Sequence, residues 1–455
     1  MIMHGLFGTD GVRGIAGEFL TCERALEIGR AVASILSNAR EAHPLVLIGE
    51  DTRLSSPMLA AAISAGLASV GADVVRLGIV PTPAVAYLVE KYKAHAGIMV
   101  SASHNSFEFN GIKIFDGAGF KFPDELEERI ESIVLDNNPS PVAAQNEKIG
   151  SITFSEKGVR DYIAHIRASV PYSLDGLHIA IDCSNGAASR TAESLFLSLG
   201  ARCDVLCAAP DGININKECG STHIEALSRY VKANHLDCGI AFDGDGDRCL
   251  AVDENGCEID GDKIMAILAL DMKKRGKLAK NTVVGTVMTN LGFRKFCQEN
   301  GIEFIDAKVG DRFVLERIEL DALSFGGEQS GHIILRDFAT TGDGQLTAAH
   351  LLSLLARQKM PLSALASVMK KYPQCTVNIP ATQEQKLAFY TDACIKSIVA
   401  ALQTAIDGTG RAVIRPSGTE PLIRIMLEGE SEADIQSLAK NTADSIRTAL
   451  ARYES

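Results

Sequence analysis

Leu45-Val-Leu-Ile-Gly49 is an apolar run of strand character, and the chain after it carries the signals of a helix and a second strand. Ser56-Pro57 suits a helix start, Gly71 suits a helix end, and Val74-Val-Arg-Leu77 is again strand-like. Because a strand, a helix and a strand in this order build a parallel sheet, the pattern predicts an α/β domain. The same order recurs at residues 178–206 and again at residues 282–305. Together with the first instance, these repeats predict three related α/β domains.

The last part of the chain has a different order of elements. Apolar periodicity predicts a helix near Gln385 to Thr404, strands over Ala412-Val-Ile414 and Leu422 to Leu427, and a helix from Glu432 to Tyr453. This order predicts a fourth domain of the α+β type. The expected domain bounds, placed at Pro-rich and turn-like segments, are 1–150, 151–255, 256–370 and 371–455.

Composition excludes several classes of function. The net charge of −12 over 455 residues argues against a nucleic-acid partner, and the chain lacks the apolar run of about 18 residues that a membrane span needs. The N-terminal residues do not have the pattern of a signal peptide. The 11 cysteines include no C-x-x-C pair and match neither a disulfide framework nor a zinc site. We therefore expect a cytoplasmic protein with reduced cysteines and no membrane partner.

Three carboxylates alternate with glycine in Asp243-Gly-Asp-Gly-Asp247-Arg248. Two like charges about 4 Å apart repel by roughly 4 kcal/mol at an effective dielectric near 20, so converging aspartates need a cation such as Mg²⁺ or Ca²⁺. An EF-hand loop is the alternative, since Glu254 would fall at its twelfth position. Arg248 stands where that loop needs glycine, and the flanks indicate strands, so we expect a different kind of metal loop.

Four other loops offer polar groups. Ser101-Ala-Ser-His-Asn105 follows an apolar strand, where either a reactive serine or a capped turn is expected. Gly326-Gly-Glu-Gln-Ser-Gly-His332 suits sugar hydroxyls or is a simple glycine-rich turn. Arg415-Pro-Ser-Gly-Thr-Glu420, with Arg424 beyond it, can cradle a phosphate. Phe7-Gly-Thr-Asp-Gly-Val-Arg-Gly14 is a further glycine-rich loop.

Together these five loops, in this order, resemble the α-D-phosphohexomutase superfamily in the form of its glucosamine branch. The resemblance spans the chain and implies four domains around a central cleft, three related mixed α/β domains plus a C-terminal α+β domain. In chain order these carry the phosphoserine, metal, sugar-binding and phosphate-binding loops. It also implies that the catalytic serine, Ser103, is phosphorylated. Ser106 stands where the family usually has proline, so we expect a less rigid loop.

The resemblance also implies a role for each polar loop residue. Lys113 is the expected proton-transfer group, with a pKa lowered by burial near Arg13, and His104 is the second candidate. Arg13 and Arg248 should neutralise the phosphoryl group in transfer. One Mg²⁺ per subunit should be held by Ser103, Asp243, Asp245 and Asp247. The expected substrate-binding residues are Glu328, Ser330, His332, Arg415, Ser417, Gly418, Thr419 and Arg424.

The implied activity is the interconversion of glucosamine 6-phosphate and glucosamine 1-phosphate, which would feed UDP-N-acetylglucosamine synthesis. A hexosamine or glucose 1,6-bisphosphate would be intermediate and activator, and the protein would be a monomer or homodimer. The near alternative is a phosphomannomutase or phosphoglucomutase with the same mechanism. A non-catalytic phosphosugar binder and a metal-dependent phosphatase are the alternatives from other classes.

Overall fold

The computed structural model describes residues 5–8, 10–37, 43–136, 138, 141–417 and 421–453. Contacts divide the chain into two compact units. The larger unit runs to Thr286 and resumes over Glu303–Val368, and the smaller unit holds Val287–Ile302 and the chain from Met369 onward. None of the helices in the described part of the chain has both the length and the apolar character that crossing a bilayer requires.

The first sheet of the larger unit has the strand order β1-β5-β4-β2-β3-β6, with β5 antiparallel to both of its neighbours. Its strands are β1 (Val12–Ile15), β2 (Leu45–Glu50), β3 (Asp73–Ile79), β4 (Ala96–Val100), β5 (Phe109–Asp116) and β6 (Ile152–Phe154). The helices of this region are α1 (Cys22–Ser37), α2 (Ser56–Ser69), α3 (Thr82–Tyr92), α4 (Asp124–Asp136) and α5 (Lys157–Ser169). Ser56, expected to cap α2, is its first residue, and its hydroxyl donates to Asp51 instead.

The second sheet has the order β11-β10-β9-β7-β8, with β8, β7 and β9 parallel and β10 antiparallel to β9. Its strands are β7 (His178–Asp182), β8 (Arg202–Leu206), β9 (Cys238–Phe242), β10 (Cys249–Asp253) and β11 (Glu258–Ile259), and its helices are α6 (Ala192–Ser198) and α7 (Glu225–Ala233). The helix of the second predicted repeat, α6, is short, because a 3₁₀ turn occupies Ala187–Arg190 before it. The predicted strands on both sides of the aspartate loop are β9 and β10, which excludes the helices of an EF-hand.

The third sheet has the order β13-β12-β14-β15. The elements of this region are α8 (Gly261–Lys274), β12 (Thr282–Thr286), α9 (Leu291–Glu299), β13 (Glu303–Ala307), α10 (Asp311–Leu320), β14 (Phe325–Gly327), β15 (Ile333–Leu335), α11 (Gly344–Gln358) and α12 (Leu362–Ala366). The third predicted repeat is present as β12, α9 and β13. Its helix α9, however, belongs to the smaller unit.

The smaller unit contains an antiparallel sheet of order β16-β18-β17. The strands of this sheet are β16 (Gln374–Pro380), β17 (Gly410–Pro416) and β18 (Leu422–Gly429), and the helices that accompany α9 in this unit are α13 (Gln383–Thr391), α14 (Ala393–Ile406) and α15 (Glu432–Leu450). The single helix predicted near 385–404 is two helices, because Asp392 adopts extended backbone and caps α14 by accepting from the Ile395 N–H. Within this unit, Asn290 at the start of α9 donates to the Tyr372 carbonyl at 3.0 Å. The predicted α/β class is thus confirmed.

Candidate active site

Ser103 lies in the loop that follows β4 and is 1% exposed. Its backbone is in the left-handed region, with φ of 52°. Its Oγ donates to Asp243 Oδ2 at 2.6 Å, although 140 residues separate the two in the chain. The phosphoserine loop, residues 101–106, therefore meets the metal loop, residues 243–248, through the predicted serine.

Arg53 and Asp51, which were not predicted from the sequence, form hydrogen bonds that support the phosphoserine loop. Their side chains are both fully buried and form an ion pair at 3.0 Å. Arg53 donates to the carbonyls of Ser103 at 2.8 Å and Asn105 at 2.9 Å, and to that of Ser106 at 3.3 Å. Asp51 lies at the end of β2, next to β4 in the sheet, and side chains at the carboxyl ends of neighbouring parallel strands meet. That rule could have identified the pair.

Asp51 and Asn216 complete this support. Ser101 Oγ donates to Asp51 Oδ2 at 2.6 Å and accepts from the Ser103 N–H at 3.0 Å. Asn216 Nδ2 donates to the carbonyls of Ser103 and Asn105, both at 2.9 Å. These bonds support the loop in the absence of a proline at position 106, and the lower rigidity expected from Ser106 stays a prediction.

Glycine at 244 allows the two loops to meet. A Cβ on Gly244 would lie 2.5 Å from the Ser103 carbonyl oxygen, and Gly246 has φ of 71°, a conformation that favours glycine. The glycines between the aspartates are thus required by close approach and by backbone conformation, and the loop can turn tightly enough to bring its carboxylates together.

The aspartates converge as predicted from their spacing. One carboxylate oxygen of each of Asp243, Asp245 and Asp247 lies within 4.8 Å of the others, and all three side chains are buried. Thr82 Oγ1 at 2.5 Å and Lys113 Nζ at 2.9 Å donate to Asp245 Oδ2. Among the described residues, Asp245 Oδ1 and Asp247 Oδ1 have no hydrogen-bond partner. Two buried anionic oxygens without a donor fit a hard divalent cation such as Mg²⁺.

Electrostatics support the same conclusion about this cluster. Burial, followed by the charges of Asp247 and Asp245, raises the pKa of Asp243 well above its ordinary value. Uncompensated negative charge at this point is therefore costly, and a bound cation would relieve it. Glu254, considered above as an EF-hand ligand, instead accepts from the Ser363 N–H at 3.2 Å.

Lys113 lies on β5 with its ammonium among carboxylates. Its Nζ is 2.9 Å from Asp245 Oδ2, 3.4 Å from Asp247 Oδ2 and 3.3 Å from Asp10 Oδ2. Burial alone would lower the pKa of Lys113, but Asp10, Asp245 and Asp247 outweigh it and raise that pKa well above its ordinary value. The expected lowering of this pKa is therefore wrong, and the side chain is a cation that ties the metal loop to the first sheet.

Asp10 links further charged groups to the cluster, and its importance was not predicted. Arg13 and Lys113 form ion pairs with Oδ2 of Asp10, and Lys121 contacts Oδ1 at 2.5 Å. Lys121 also pairs with Asp311. The Asp10 carboxylate thus bridges three cations, Arg13, Lys113 and Lys121, and the role of Arg13 beside a transferring phosphoryl group stays a prediction.

Of the two histidines of the predicted site, His332 is buried and His104 is half-buried. His104 Nδ1 is 3.3 Å from Ser103 Oγ, and burial, then the Arg248 charge, lowers the pKa of this imidazole to about 4. His332 is 3% exposed, its Nδ1 lies 3.6 Å from Asp247 Oδ2, and its Nε2 accepts from the Gly342 N–H at 3.0 Å. His332 thus contacts the metal loop through Nδ1, and the sugar-binding role expected for this residue stays a prediction.

Arg248 connects the metal loop to the predicted sugar loop. Its N–H donates to Asp243 Oδ1 at 3.2 Å, and its backbone forms an antiparallel bridge with His332. In the sugar loop, Glu328 Oε1 accepts from the Gly310 N–H at 3.0 Å, and Ser330 Oγ is buried without a hydrogen-bond partner in the described chain. A cleft of about 1150 Å³ is lined by groups that include Lys121, Lys308, Asp311, Arg312 and His332.

The predicted phosphate residues lie in the smaller unit. Arg415 on β17 and Arg424 on β18 are direct cross-strand partners, and Arg424 Nε donates to Asn378 Oδ1 at 3.0 Å. Lys386 Nζ donates to the Ser417 carbonyl at 2.7 Å. Like charges directly opposite each other in a sheet are destabilising, and an anion would offset that cost. Gly418 and Thr419 lie outside the described residues.

Four family models match the chain. In chain order they describe the phosphoglucomutase/phosphomannomutase alpha/beta/alpha domains I, II and III and the C-terminal domain, and they match residues 4–140, 160–256, 260–372 and 358–445.

Curated relatives match at full length. A phosphoglucosamine mutase of Caldanaerobacter subterraneus subsp. tengcongensis is 51% identical over 98% of this chain and 100% of its own. One of Acetivibrio thermocellus is 49% identical over 96% of this chain and 97% of its own.

Solved structures share the fold. A phosphoglucomutase/phosphomannomutase family protein of Burkholderia thailandensis is 25% identical, with a TM-score of 0.81 over 99% of this chain and 98% of that one. The N-acetylphosphoglucosamine mutase of Aspergillus fumigatus, solved with GlcNAc-6P and magnesium, is 16% identical, with a TM-score of 0.72 over 97% of this chain and 95% of that one.

Proposed function

The chain belongs to the phosphoglucomutase/phosphomannomutase family, and on that premise we propose that it is a phosphoglucosamine mutase. It interconverts glucosamine 6-phosphate and glucosamine 1-phosphate, and so supplies the precursor of UDP-N-acetylglucosamine. Relatives that are about half identical over nearly the whole chain carry this name, which favours it over phosphomannomutase or phosphoglucomutase. The observation that carries the chemistry is the 2.6 Å contact between Ser103 Oγ and Asp243 in a buried aspartate cluster.

In the proposed mechanism, Ser103 carries the phosphoryl group that is transferred. Phosphoserine gives this group to the free hydroxyl of the hexosamine phosphate, and the resulting 1,6-bisphosphate returns its other phosphate to Ser103. Arg53 and Asn216 donate hydrogen bonds to the carbonyl of Ser103, which positions its Oγ next to the metal loop. A hexosamine or glucose 1,6-bisphosphate would also restore the phosphoserine when it is lost.

Asp243, Asp245 and Asp247 would hold one Mg²⁺ per subunit, together with an oxygen on Ser103. When bound, the ion supplies positive charge that stabilises a transferring phosphoryl group. Lys113 contacts Asp245 Oδ2 and Asp247 Oδ2, and the Oδ1 atoms of both residues, which have no hydrogen-bond partner in the described chain, would be available to the ion. Arg13 and Arg248 add positive charge near the reacting group.

Proton transfer to and from the sugar hydroxyl has two candidate groups, His104 and Lys113. His104 lies beside Ser103 Oγ, and Lys113 lies among the aspartates. Glu328 and Ser330 would bind the sugar hydroxyls, and Arg415, Ser417, Gly418, Thr419 and Arg424 would bind the phosphate that does not react.

We infer a cytoplasmic location and a phosphosugar as the principal partner. The net charge of −12 makes a nucleic-acid partner unfavourable. Light scattering would distinguish the monomer from the homodimer, the two states that we propose.

One assay tests the function. We expect conversion of glucosamine 6-phosphate to the 1-phosphate, dependent on Mg²⁺ and stimulated by a 1,6-bisphosphate, with mannose 6-phosphate a poorer substrate by kcat/KM. Ser103→Ala should abolish turnover and leave the circular dichroism spectrum unchanged, and phosphopeptide mapping should place the phosphate on Ser103. Release of inorganic phosphate without isomerisation would indicate a phosphatase, and binding without any turnover would indicate a decayed enzyme.

A further inference from the structure

Two thiols and a carboxylate meet in the second sheet region, outside the site described above. Asp182 ends β7, Cys207 follows β8, and Cys219 precedes a 3₁₀ turn at Gly220–Thr222. One side-chain ligand atom of each residue lies within 4.8 Å of the other two. Cys219 is 2% exposed and Cys207 is half-buried, and both thiols are free. The cluster is thus closed on one side and open to small reagents at Cys207.

The carboxylate in this cluster already has structural partners. Asp182 Oδ1 accepts from the Ser184 N–H at 2.8 Å, and Oδ2 accepts from the Gly220 N–H at 2.9 Å. These bonds hold the loops that carry the two cysteines against β7. The group is therefore better described as a pair of thiols on a fixed carboxylate than as three equivalent metal ligands.

The two thiols differ in character. A hydrogen bond from Cys219 lowers the pKa of Cys207 against the opposing effects of burial and Asp182. The same hydrogen bond, with burial, raises the pKa of Cys219. Cys207 is therefore the nucleophile of the pair, since the thiolate is the reactive form, and Cys219 is the protonated partner beside it.

The segment between the two cysteines supports the phosphoserine loop. Asn216 lies three residues before Cys219, and its Nδ2 donates at 2.9 Å to the carbonyls of both Ser103 and Asn105. The neighbouring Asn185 has its Nδ2 3.8 Å from Cys219 Sγ, and its carbonyl accepts from Thr52 Oγ1 at 2.6 Å. Movement of Cys219 would thus be felt directly at residues that touch the phosphoserine loop.

We propose that Cys207 and Cys219 are a modification site, at which a reversible disulfide withdraws Asn216 from the phosphoserine loop and lowers turnover. The coupling to turnover rests on the proposed mutase function, whereas the disulfide itself does not. The co-reactant is a hydroperoxide. The Cys207 thiolate attacks a peroxide oxygen, the O–O bond breaks, and a sulfenic acid and a water or alcohol result.

The second step closes the bond. Cys219 sulfur attacks the Cys207 sulfur, the S–O bond breaks and water leaves, so that two thiols lose two electrons and two protons while one peroxide is reduced. A small dithiol reverses the change by exchange. Sulfurs that start within 4.8 Å of each other must approach to about 2.05 Å. A resulting shift of about 1 Å at Asn216 would take its 2.9 Å bonds beyond hydrogen-bond range.

The test uses the full-length protein, treated with hydrogen peroxide and digested without reduction. We expect a cross-linked peptide pair joining Cys207 to Cys219, two hydrogens lighter than the thiol peptides, and a fall in kcat of at least tenfold that dithiothreitol reverses. Cys207→Ser and Cys219→Ser should each abolish the cross-link and keep turnover under peroxide. The matched control replaces the two exposed cysteines, Cys257 and Cys394, with serine, and should still form the cross-link.

Several results would overturn the proposal. A bond from Cys207 to the adjacent Cys183, or oxidation confined to Cys257 and Cys394, would contradict the assignment. A complete Cys207–Cys219 bond with unchanged kcat would contradict the coupling. Stoichiometric zinc in the untreated protein that disappears in Cys219→Ser would show that the thiols are metal ligands. Peptide mapping does not need an active enzyme, so failure of the disulfide and failure of the mutase function are distinguishable.

Discussion

Gly244→Ala is the substitution that most directly tests the contact between the phosphoserine loop and the metal loop. The new Cβ would lie 2.5 Å from the Ser103 carbonyl oxygen, 2.8 Å from Asn216 Nδ2 and 2.9 Å from Ile215 Cδ1. Ordinary contact needs about 3.4 Å, so the two loops must separate by about 0.9 Å. The 2.6 Å bond from Ser103 Oγ to Asp243 would then lengthen to about 3.5 Å and be lost.

We expect this separation to lower kcat by about 100-fold, equivalent to roughly 2.7 kcal/mol, because a misplacement of about 1 Å at a reacting group has an effect of that order. The KM for the phosphosugar should change little. The measurement is steady-state conversion of glucosamine 6-phosphate, with thermal unfolding as the check on fold. Gly117→Ala is the matched control, since its Cβ would meet no atom closer than 3.3 Å. A kcat of Gly244→Ala within threefold of the parent would refute the reasoning.

Three further changes test other parts of the structure. Arg53→Lys cannot reach three carbonyls from one ammonium, so we expect a loss of about 1 to 3 kcal/mol in unfolding free energy and a lower kcat. Arg76→Lys, whose guanidinium pairs with the single carboxylate of Glu50, should change both less. Arg415→Ala should raise KM for the phosphosugar far more than it lowers kcat, and an equal effect on binding of an unphosphorylated sugar would place the phosphate site elsewhere. Burial, followed by the charge of Arg275, lowers the pKa of His350 to about 4. Between pH 6.5 and 4 the unfolded chain therefore binds a proton that the folded chain does not, and the folded state loses stability as the pH is lowered through this range. Urea unfolding should show about 2 kcal/mol of loss between pH 7 and 5 from this group, absent in His350→Gln, and an unchanged pH dependence in that variant would contradict it.

Local sequence patterns predicted most individual strands and helices, because the apolar periodicity of each element is visible over a few residues. The first strand and helix are β2 and α2, and the alternating aspartates do converge. The break at Asp392 was not predicted, since apolar periodicity runs through the residue that caps the second helix. Assignment of α9 to the smaller unit depends on partners near 372 and 428, which local patterns do not show.

Non-local contacts account for what was missed at the site. The pKa of Lys113 was expected to be lowered near Arg13, but three carboxylates from two other loops surround its ammonium group. Arg53 and Asp51 were overlooked because their partners are about 50 residues away in the chain. Cys207 and Cys219 fit no short cysteine motif, and only the fold brings their sulfurs together.

The membership of α9 in the smaller unit has a consequence for synthesis of the chain. The ribosome makes α9, with Phe293 and Phe296 on its buried face, before any residue from Met369 onward exists. The hydrogen-bond partners of its first turn, Tyr372 and Glu428, emerge roughly 80 and 135 residues later, which is several seconds or more at elongation rates of about 5 to 20 residues per second. During that interval the apolar face of α9 lacks the part of the smaller unit that begins at Met369. A fragment that stops before Met369 would leave it so permanently, and we expect such a fragment to require chaperones or to aggregate.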